Sequence, residues 1–507
     1  MDTGTAPAPT RAAEVPVDRP ASARGPWAGH VLWILGGITL LAALLRFATL
    51  DVQSIWLDES ATLRLLRPGL WDTLSQLPGS ESAPPLYYVL AWAWTRVLGT
   101  GTVDLRSLSA VFGTLTVPVA FLAARRASDQ AGLWAAGVAA VNPLLFYYAQ
   151  EARAYSLLIL LAGLSFVCWQ RALDDPTPRR TAWWAVFSAL ALTTHYFALF
   201  LVIPEALWLM RRYGVRRLAA PLGGLVVVGL ALAPLALRQR EDGKSNWIEG
   251  TSLASRIAQA PKQFVVGIDG PGEVVTALLA LLCVAAAVVV LVRRGTARER
   301  ETARAAAVIA GVGLLLPLLL SLSGVADLFN GRNVVACWIP AATVAGVALG
   351  TRAAPRVTAA LGVVLCLVSG FVILGVLTDK GYQRDDWRGV ADGLKAQPVA
   401  DRIVVTPQNG GSPLALYLPG SDWRQRPTGS FTTAEVDVVT LRTRRTGRAS
   451  LPPVPATQAP PGFTAAGART TDSYAIARFV APRPEQLTAR QLQAPVAEAG
   501  DLVIQRR

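Results

Sequence analysis

Two adjacent carboxylates, Asp58 and Glu59, are the side chains of this sequence best placed to do chemistry. They follow the first long apolar segment, and apolar sequence resumes near residue 84. A carboxylate at a membrane edge costs free energy, so it is a functional hypothesis by default. A carboxylate at this place could act as a general base that removes a proton from a hydroxyl group. The alternative is that the pair only begins a short interfacial helix, because acidic residues are favoured at helix N-termini.

A second polar strip lies where an apolar segment ends, between residues 147 and 155. Its hydrogen-bonding side chains are Tyr147, Tyr148, Gln150, Glu151, Arg153 and Tyr155. Planar aromatic rings and polar groups with two hydrogen-bonding atoms suit the binding of sugars. We therefore predict a substrate site that includes Tyr148, Gln150, Glu151 and Tyr155. The alternative is an ordinary interfacial aromatic belt followed by a solvated turn.

Two further polar pairs interrupt apolar sequence. His195 and Tyr196 separate two short apolar halves; the pair is either part of the substrate site or, as a lone histidine more often is, structural. Arg332 and Asn333 begin a late apolar segment. Arg332 is either a cation that snorkels from a helix start to the interface or a phosphate ligand, for which the guanidinium fork is suited.

The elements that position these residues are membrane helices. Of the 507 residues, 52% are hydrophobic and 16% are charged, and the mean hydropathy is +0.39. A soluble protein is nearer about 25% charged, and a helix needs about 20 apolar residues to cross a bilayer. The clearest such runs are 27–49, 217–237, 274–292, 303–322, 333–350 and 355–378. The fold class predicted is a polytopic α-helical membrane protein.

The net charge of +14 comes largely from short basic loops between apolar runs. This distribution is typical of cytoplasmic loops under the positive-inside rule, so no nucleic-acid partner is predicted. If residues 84–98 crossed the membrane, the clusters at 125–126, 211–217 and 293–304 would lie outside. We therefore expect 84–98 to be re-entrant or interfacial. Further crossings are expected at 104–125, 129–147, 155–172, 181–193 and 196–210.

The resulting topology has about eleven crossings, within a range of nine to thirteen, with the N-terminus inside. Residues 1–26 are predicted to be a disordered cytoplasmic tail, and 27–378 a catalytic membrane domain with the external loop 50–83. Residues 379–507 are predicted to form an extracytoplasmic α/β domain. All the candidate site residues then lie on the external face of the cell membrane.

The cysteines give no sign of a metal site. All four lie inside apolar segments without paired spacing or a nearby histidine, so neither a zinc site nor a disulfide framework is predicted.

The ordered set of motifs resembles the GT-C class of integral-membrane glycosyltransferases, in its bacterial family 39-like branch. Relatives in that class include the protein O-mannosyltransferases and the lipid A aminoarabinose transferase. The resemblance covers residues 27 to about 390. It is carried by Trp56-Leu57-Asp58-Glu59, Pro84-Pro85-Leu86-Tyr87, Leu105-Arg106-Ser107-Leu108-Ser109, Tyr148 to Tyr155, Thr194-His195-Tyr196 and Arg384-Asp385-Asp386-Trp387-Arg388.

The resemblance implies a polyprenyl-phosphate-linked sugar as donor, used on the external face, with inversion at the anomeric carbon. It makes Asp58 the general base and Glu59 either its orienting neighbour or a second ligand of the acceptor. Arg332 is the first candidate to bind the donor phosphate, and Arg153 is the second. Mannose is the favoured sugar, and the acceptor is a lipid, a glycan or a protein. Some relatives place a divalent metal near the acidic residues, and the sequence leaves that cofactor open.

Two other function classes compete with the enzyme. A transporter or flippase of a lipid-linked glycan would also handle an amphipathic substrate. Transporters usually show internal repeats and polar groups near the bilayer midplane, whereas here the charges gather at one face and no repeat is found. A cell-envelope scaffold, with 379–507 as its interaction module, is the third class.

Overall fold

A computed structural model describes residues 27–241, 250–396, 401–442, 459–493 and 500–506 of the chain. The predicted tail 1–26 lies outside these residues.

The described chain is helical up to residue 378, apart from short connections. The first helices are α1 (Trp27–Phe47), α2 (Leu57–Leu66), α3 (Leu70–Ser80), α4 (Leu86–Leu98), α5 (Thr102–Arg125), α6 (Asp129–Val141), α7 (Pro143–Ala149) and α8 (Tyr155–Asp174). They are followed by α9 (Pro178–Thr194), α10 (Leu199–Tyr213), α11 (Ala219–Glu241), α12 (Leu253–Val266), α13 (Glu273–Arg294), α14 (Ala297–Leu322), α15 (Gly331–Val334), α16 (Trp338–Leu349) and α17 (Pro355–Thr378).

Eight helical segments of the described chain are long and apolar enough to span a membrane, and nine if the bent pair α6 and α7 is one span. Helix α4 has 13 residues, too few to cross, as expected for 84–98. Helices α9 and α10 have 17 and 15 residues, which is also shorter than the 18 residues taken as the minimum for a span. The figure of eleven crossings therefore stays a prediction.

The span predicted at 129–147 is broken. The α6 and α7 axes differ by 56°. Asn142 caps α7 by accepting hydrogen bonds from the amides of Leu144 and Leu145, each at 3.1 Å. Pro143 is the first residue of α7 and has no N–H to continue α6. The polar strip 147–155 therefore covers the end of α7, the turn at 150–154 and the start of α8.

The most buried spans are α5, α8 and the segment Gly331–Leu349, whereas few residues of α1 and α11 are buried. Exposed apolar helix surfaces of this kind face lipid. Arg106, Tyr155 and Arg332 lie near the starts of these three spans, so the centre of the bundle positions these side chains.

The C-terminal part is a small α/β domain, as predicted. Its elements are α18 (Trp387–Lys395), β1 (Asp401–Thr406), α19 (Gly411–Tyr417), β2 (Ser421–Arg424), β3 (Ser430–Leu441), β4 (Thr464–Thr470), β5 (Tyr474–Thr488), α20 (Ala489–Gln493) and β6 (Asp501–Arg506). The strands form one sheet in the order β2-β6-β1-β3-β5-β4. Strands β1 and β3 are parallel, and the other pairs are antiparallel.

An apolar cluster covers each face of this sheet. Val404 packs in the cluster that includes α18, whereas its neighbours Ile403 and Val405 pack in the opposite one. This alternation is the period of two expected of a strand buried on both faces. The predicted fold class, a polytopic helical membrane protein with a small C-terminal α/β domain, is confirmed.

Candidate active site

The two carboxylates lie in the first turn of α2. Trp56 precedes the helix in an extended conformation and makes no side-chain cap. A short helix does begin here, at Leu57, and its dipole stabilises the carboxylates in its first turn. The two side chains differ in accessibility, because Asp58 is 26% exposed and Glu59 is fully buried.

Glu59 is bound on both oxygens. Its Oε1 accepts from Arg106 Nε at 2.7 Å, and its Oε2 accepts from Arg106 Nη2 at 2.5 Å. The amide of Ala152 also donates to Oε1, at 3.0 Å. Burial raises the pKa of Glu59, but the Arg106 charge and hydrogen bonds more than offset that effect, so the pKa lies below its ordinary value of 4.5. Glu59 is therefore an ionised anchor between α2, α5 and the strip 147–155.

Arg106 completes this anchor on the external loop. Its Nη1 donates to the carbonyls of Leu50 and Gln53, both at 2.8 Å, and its Nη2 donates to the carbonyl of Ser54 at 2.9 Å. One guanidinium group thus fixes both the chain that enters α2 and the first turn of α2.

Asp58 faces Arg332. Asp58 Oδ2 and Arg332 Nη1 are 3.4 Å apart, and the Arg332 side chain is 25% exposed. A charge-assisted hydrogen bond is usually about 2.7–2.9 Å long, so this pair is loose. The Arg332 guanidinium lies 5.4 Å from the centre of the Trp56 ring. Asp58 and Arg332 are thus opposite charges, close together and reachable by a ligand.

Aromatic rings extend from the polar strip to His195. The ring centres of Tyr148 and Tyr155 are 4.8 Å apart, and those of Tyr155 and His195 are 5.8 Å apart. His195 Nδ1 accepts from the amide of Phe197 at 3.3 Å. Burial, helped by the charge of Arg153, lowers the pKa of His195 to about 4, so this imidazole is neutral at physiological pH.

Glu151 is a buried carboxylate without a hydrogen-bond partner on either oxygen among the described residues, and it is 1% exposed. Burial raises its pKa to about 7, although the charges of Arg384 and Arg332 act in the opposite direction. The negative charges of Asp58 and Glu59 also raise the pKa of Glu151. Glu151 therefore belongs to the same electrostatic site as Asp58.

Arg384 joins the C-terminal segment to this site. Its guanidinium donates to the carbonyls of Gln150 at 2.8 Å and Tyr147 at 3.3 Å. It also lies 4.4 Å from the centre of the Tyr147 ring and 5.7 Å from that of Trp56. The carbonyl contacts fix the reversal that carries Glu151.

Three of the sequence-predicted residues have other partners. Arg153 pairs with Glu81 at 2.7 Å and donates to Thr62 at 3.2 Å, so part of its charge is neutralised. The side chain of Gln150 donates to Thr49. The Tyr196 hydroxyl donates to Gln239 at 2.8 Å, and Gln239 in turn donates to carbonyls of the external loop. Tyr196 therefore braces α11 and does not join the Asp58 cluster by any described contact.

Sequence reasoning assigned no role to Arg106, Arg384 or Glu81. A signal was available for Arg106, because an arginine just inside an apolar span requires a partner. Arg384 stands in a motif that carried the resemblance, but it is more than 200 residues from the strip that it contacts.

Over the ranges that the structure describes, no three His, Cys, Asp or Glu side chains form a group able to bind a metal ion. Both oxygens of Glu59 are used by Arg106, and the nearest described partner of Asp58 is a cation.

Comparison with known proteins relates this chain to membrane glycosyltransferases. The profile of the family described as dolichyl-phosphate-mannose-protein mannosyltransferase matches residues 82–237. Among solved structures, ArnT from Cupriavidus metallidurans in the apo state is 13% identical with a TM-score of 0.54, over 90% of this chain and 98% of that one. ArnT bound to undecaprenyl phosphate is 12% identical with a TM-score of 0.52, over 89% and 98%. No curated protein matches this chain significantly in sequence.

The similarity to ArnT spans nearly the whole length of both chains, so it includes the helical bundle and the C-terminal domain. At this low identity it establishes the fold. The family profile covers the chain from just before α4 into α11. Both comparisons agree with the GT-C resemblance that the motifs indicate, and the structural one does so at the level of the fold.

Proposed function

We propose that this chain, which has the GT-C fold of membrane glycosyltransferases, transfers a sugar from a polyprenyl-phosphate donor to a hydroxyl acceptor, with Asp58 as general base. The observation that carries this proposal is the loose, accessible pair of Asp58 and Arg332 beside the fully engaged Glu59. A displacement at a sugar phosphate needs a base for the nucleophile and a positive charge for the leaving group. Asp58 and Arg332 supply these two groups.

The proposed step is a single displacement. The acceptor hydroxyl gives its proton to the Asp58 carboxylate, and its oxygen forms a bond to the anomeric carbon. The bond from that carbon to the phosphate oxygen breaks, and its electron pair leaves with the polyprenyl phosphate. The phosphate is a stable anion and needs no general acid, unlike the leaving oxygen in glycoside hydrolysis. Inversion at the anomeric carbon follows from a single attack opposite the leaving group.

Arg332 stabilises the phosphate in this proposal. The planar guanidinium matches two phosphate oxygens, and the Trp56 ring under it restricts its direction. Preorganised charge of this kind typically contributes about 3–4 kcal/mol to transition-state stabilisation per group. Arg153 is the weaker candidate because Glu81 already pairs with it.

Glu59 has a positioning role here and does not touch substrate. Both of its oxygens are held by Arg106 inside the protein. Tyr148, Tyr155 and His195 form an aromatic wall next to Glu151, and this wall is proposed to hold the sugar. Glu151 offers it two unused carboxylate oxygens.

The proposed sugar is mannose. This choice rests on the family description, which names dolichyl-phosphate-mannose. The undecaprenyl phosphate bound by ArnT in a solved structure supports the lipid carrier of the donor. The acceptor class is left as a lipid, a glycan or a protein.

The proposed location is the external face of the cell membrane. Arg106 lies near the start of α5, and Arg125 lies in its last turn. Likewise α8 begins at Tyr155, in the site, and carries Arg171 in its last turn. Basic helix ends are typical of the cytoplasmic side, so the site lies at the opposite ends of these helices.

The test is transfer by the purified protein in proteoliposomes, with polyprenyl-phosphomannose as donor. Asp58→Asn should lower the transfer rate at least about 100-fold, the usual contribution of a general base. Asp72→Asn, an exposed carboxylate in the same external loop, should not change it. An Asp58→Asn protein that turns over normally would refute the assignment of the base. Movement of the donor across the bilayer without any transfer would favour the transporter.

A further inference from the structure

The helix that carries Asp58 is held from two sides. On one side, Glu59 binds Arg106 of α5. On the other side, α2 and the residues before it contact α19 and β2 of the C-terminal domain. These contacts join Ser60 to Ser412, Ile55 to Tyr417 and Arg64 to Trp423.

The hydroxyl groups of Ser60 and Ser412 are 2.7 Å apart and both side chains are buried. Ser60 donates its proton to the carbonyl of Leu57, also at 2.7 Å. Because a hydroxyl has one proton, Ser412 is the donor in the bond with Ser60. The result is a chain of two hydrogen bonds from α19 into the first turn of α2.

Tyr417 fixes the chain immediately before that turn. Its hydroxyl oxygen accepts from the amide of Ile55 at 2.7 Å. Ile55 is two residues before the start of α2 and is buried. At the other end of α2, the Arg64 guanidinium lies 4.9 Å from the centre of the Trp423 ring. The C-terminal domain therefore contacts the entry, the first turn and the last turn of the helix.

Helix geometry explains why two sides are needed. Consecutive residues of an α-helix point about 100° apart. Glu59 points to the bundle and Ser60 points to the C-terminal domain, so Asp58 is left on the open side with Arg332. Rotation of α2 about its axis would move Asp58 away from Arg332. The contact between Glu59 and Arg106 alone would hold α2 against this rotation from one side only.

We propose that the C-terminal domain is a positioning element of the active site. Ser412 and Tyr417 are the positioning residues, and they fix the orientation of α2 that directs Asp58 toward Arg332. This inference rests on the proposed function, because it concerns the base of that reaction. It gives the domain a part in catalysis beyond binding of an acceptor or of other proteins.

The test compares Ser412→Ala and Tyr417→Phe with the wild type in the full-length protein, with polyprenyl-phosphomannose as donor. Each change removes one oxygen atom and adds none. Because small displacements of a catalytic group can cost about 100-fold, each variant should lose about tenfold in kcat. The KM for the donor should stay within about twofold, because Arg332 is untouched. The control is Ser421→Ala, whose hydroxyl donates, among the described residues, to carbonyls of its own domain, and it should keep the wild-type kcat.

A double-variant cycle isolates the contact itself. If the Ser60–Ser412 bond carries the effect, Ser60→Ala/Ser412→Ala should be slower than the wild type by less than the product of the two single effects. Multiplying effects would overturn the proposal. A kcat equal to that of Ser421→Ala would overturn it too, as would a loss that disappears once the rates are corrected for the folded fraction.

Asp58→Asn is measured in the same series. If Asp58→Asn is inactive while Ser412→Ala and Tyr417→Phe are normal, only the positioning role fails. If Asp58→Asn is active, the proposed function fails first.

Discussion

Replacement of Arg106 by methionine tests whether Glu59 is an anchor. In the structure, Arg106 makes five hydrogen bonds, two to Glu59 and three to loop carbonyls, all inside the protein. Methionine fills a similar length but offers no donor. The Arg106→Met protein would keep Glu59 buried, with the amide of Ala152 as its remaining described hydrogen-bond donor.

The expected cost is large. Removal of one partner from a buried ion pair usually destabilises a protein by about 3–5 kcal/mol, because the other charge stays buried without compensation. The control is Arg125→Met, which breaks the exposed pair with Asp129. Exposed pairs contribute about 0–1 kcal/mol, so this control should be close to the wild type.

The dependence of stability on pH should have opposite signs in the wild type and in the Arg106→Met protein. In the wild type the pKa of Glu59 lies below its ordinary value of 4.5. Its contribution to stability is therefore present above pH 4.5 and is lost as the pH falls through the lower pKa of the folded state. Without Arg106, burial raises the pKa of Glu59. The variant then loses stability as the pH rises above 4.5 toward the raised pKa.

Thermal unfolding in detergent measures both effects, with a dye that reacts with cysteines as they become exposed. Three of the four cysteines are buried and one is partly buried in the folded protein, so they report unfolding. An Arg106→Met protein with the stability of Arg125→Met, or with the same pH slope as the wild type, would refute the reasoning about Glu59.

Three further predictions concern the site and the topology. Arg332→Ala should reduce donor turnover by about 100-fold to 1,000-fold in kcat, the usual loss for one charge-stabilising group, whereas Arg293→Ala at the opposite end of the bundle should not; unchanged kinetics would move the phosphate role elsewhere. Glu151→Gln should remove the part of the stability loss that the wild type shows as the pH rises from 4.5 toward about 7, because burial raises the pKa of that carboxyl; an unaltered pH profile of thermal unfolding would contradict this. Asn409→Cys should react with an impermeant thiol reagent from outside intact cells, and Val215→Cys, 60% exposed between α10 and α11, only after permeabilisation; the reverse pattern would refute the topology.

The sequence predicts the class of fold well, because long apolar runs and basic loops follow directly from the cost of polar groups in lipid. It also predicts an α/β domain after residue 379. It predicts one crossing at 129–147, where the structure shows two helices, α6 and α7, whose axes differ by 56°. The signal for that break was present in Asn142-Pro143, since proline disfavours a helical conformation at the residue before it.

The different environments of Asp58 and Glu59 could not be predicted. Adjacent carboxylates look equivalent in a sequence, and their difference arises from Arg106, which is 47 residues away. Arg384 reaches the site from even further along the chain. Tyr196 shows the opposite case, because a residue expected at the site is directed to Gln239 by a contact between distant helices.

The central claim is a single displacement on a polyprenyl-phosphate-linked sugar by one carboxylate. The most direct measurement is the anomeric configuration of the transferred sugar, determined by nuclear magnetic resonance on product made by the purified wild-type protein, together with the amount of polyprenyl phosphate released. We predict an inverted anomeric carbon and one polyprenyl phosphate for each sugar transferred. A retained configuration, or transfer without release of polyprenyl phosphate, would contradict the account.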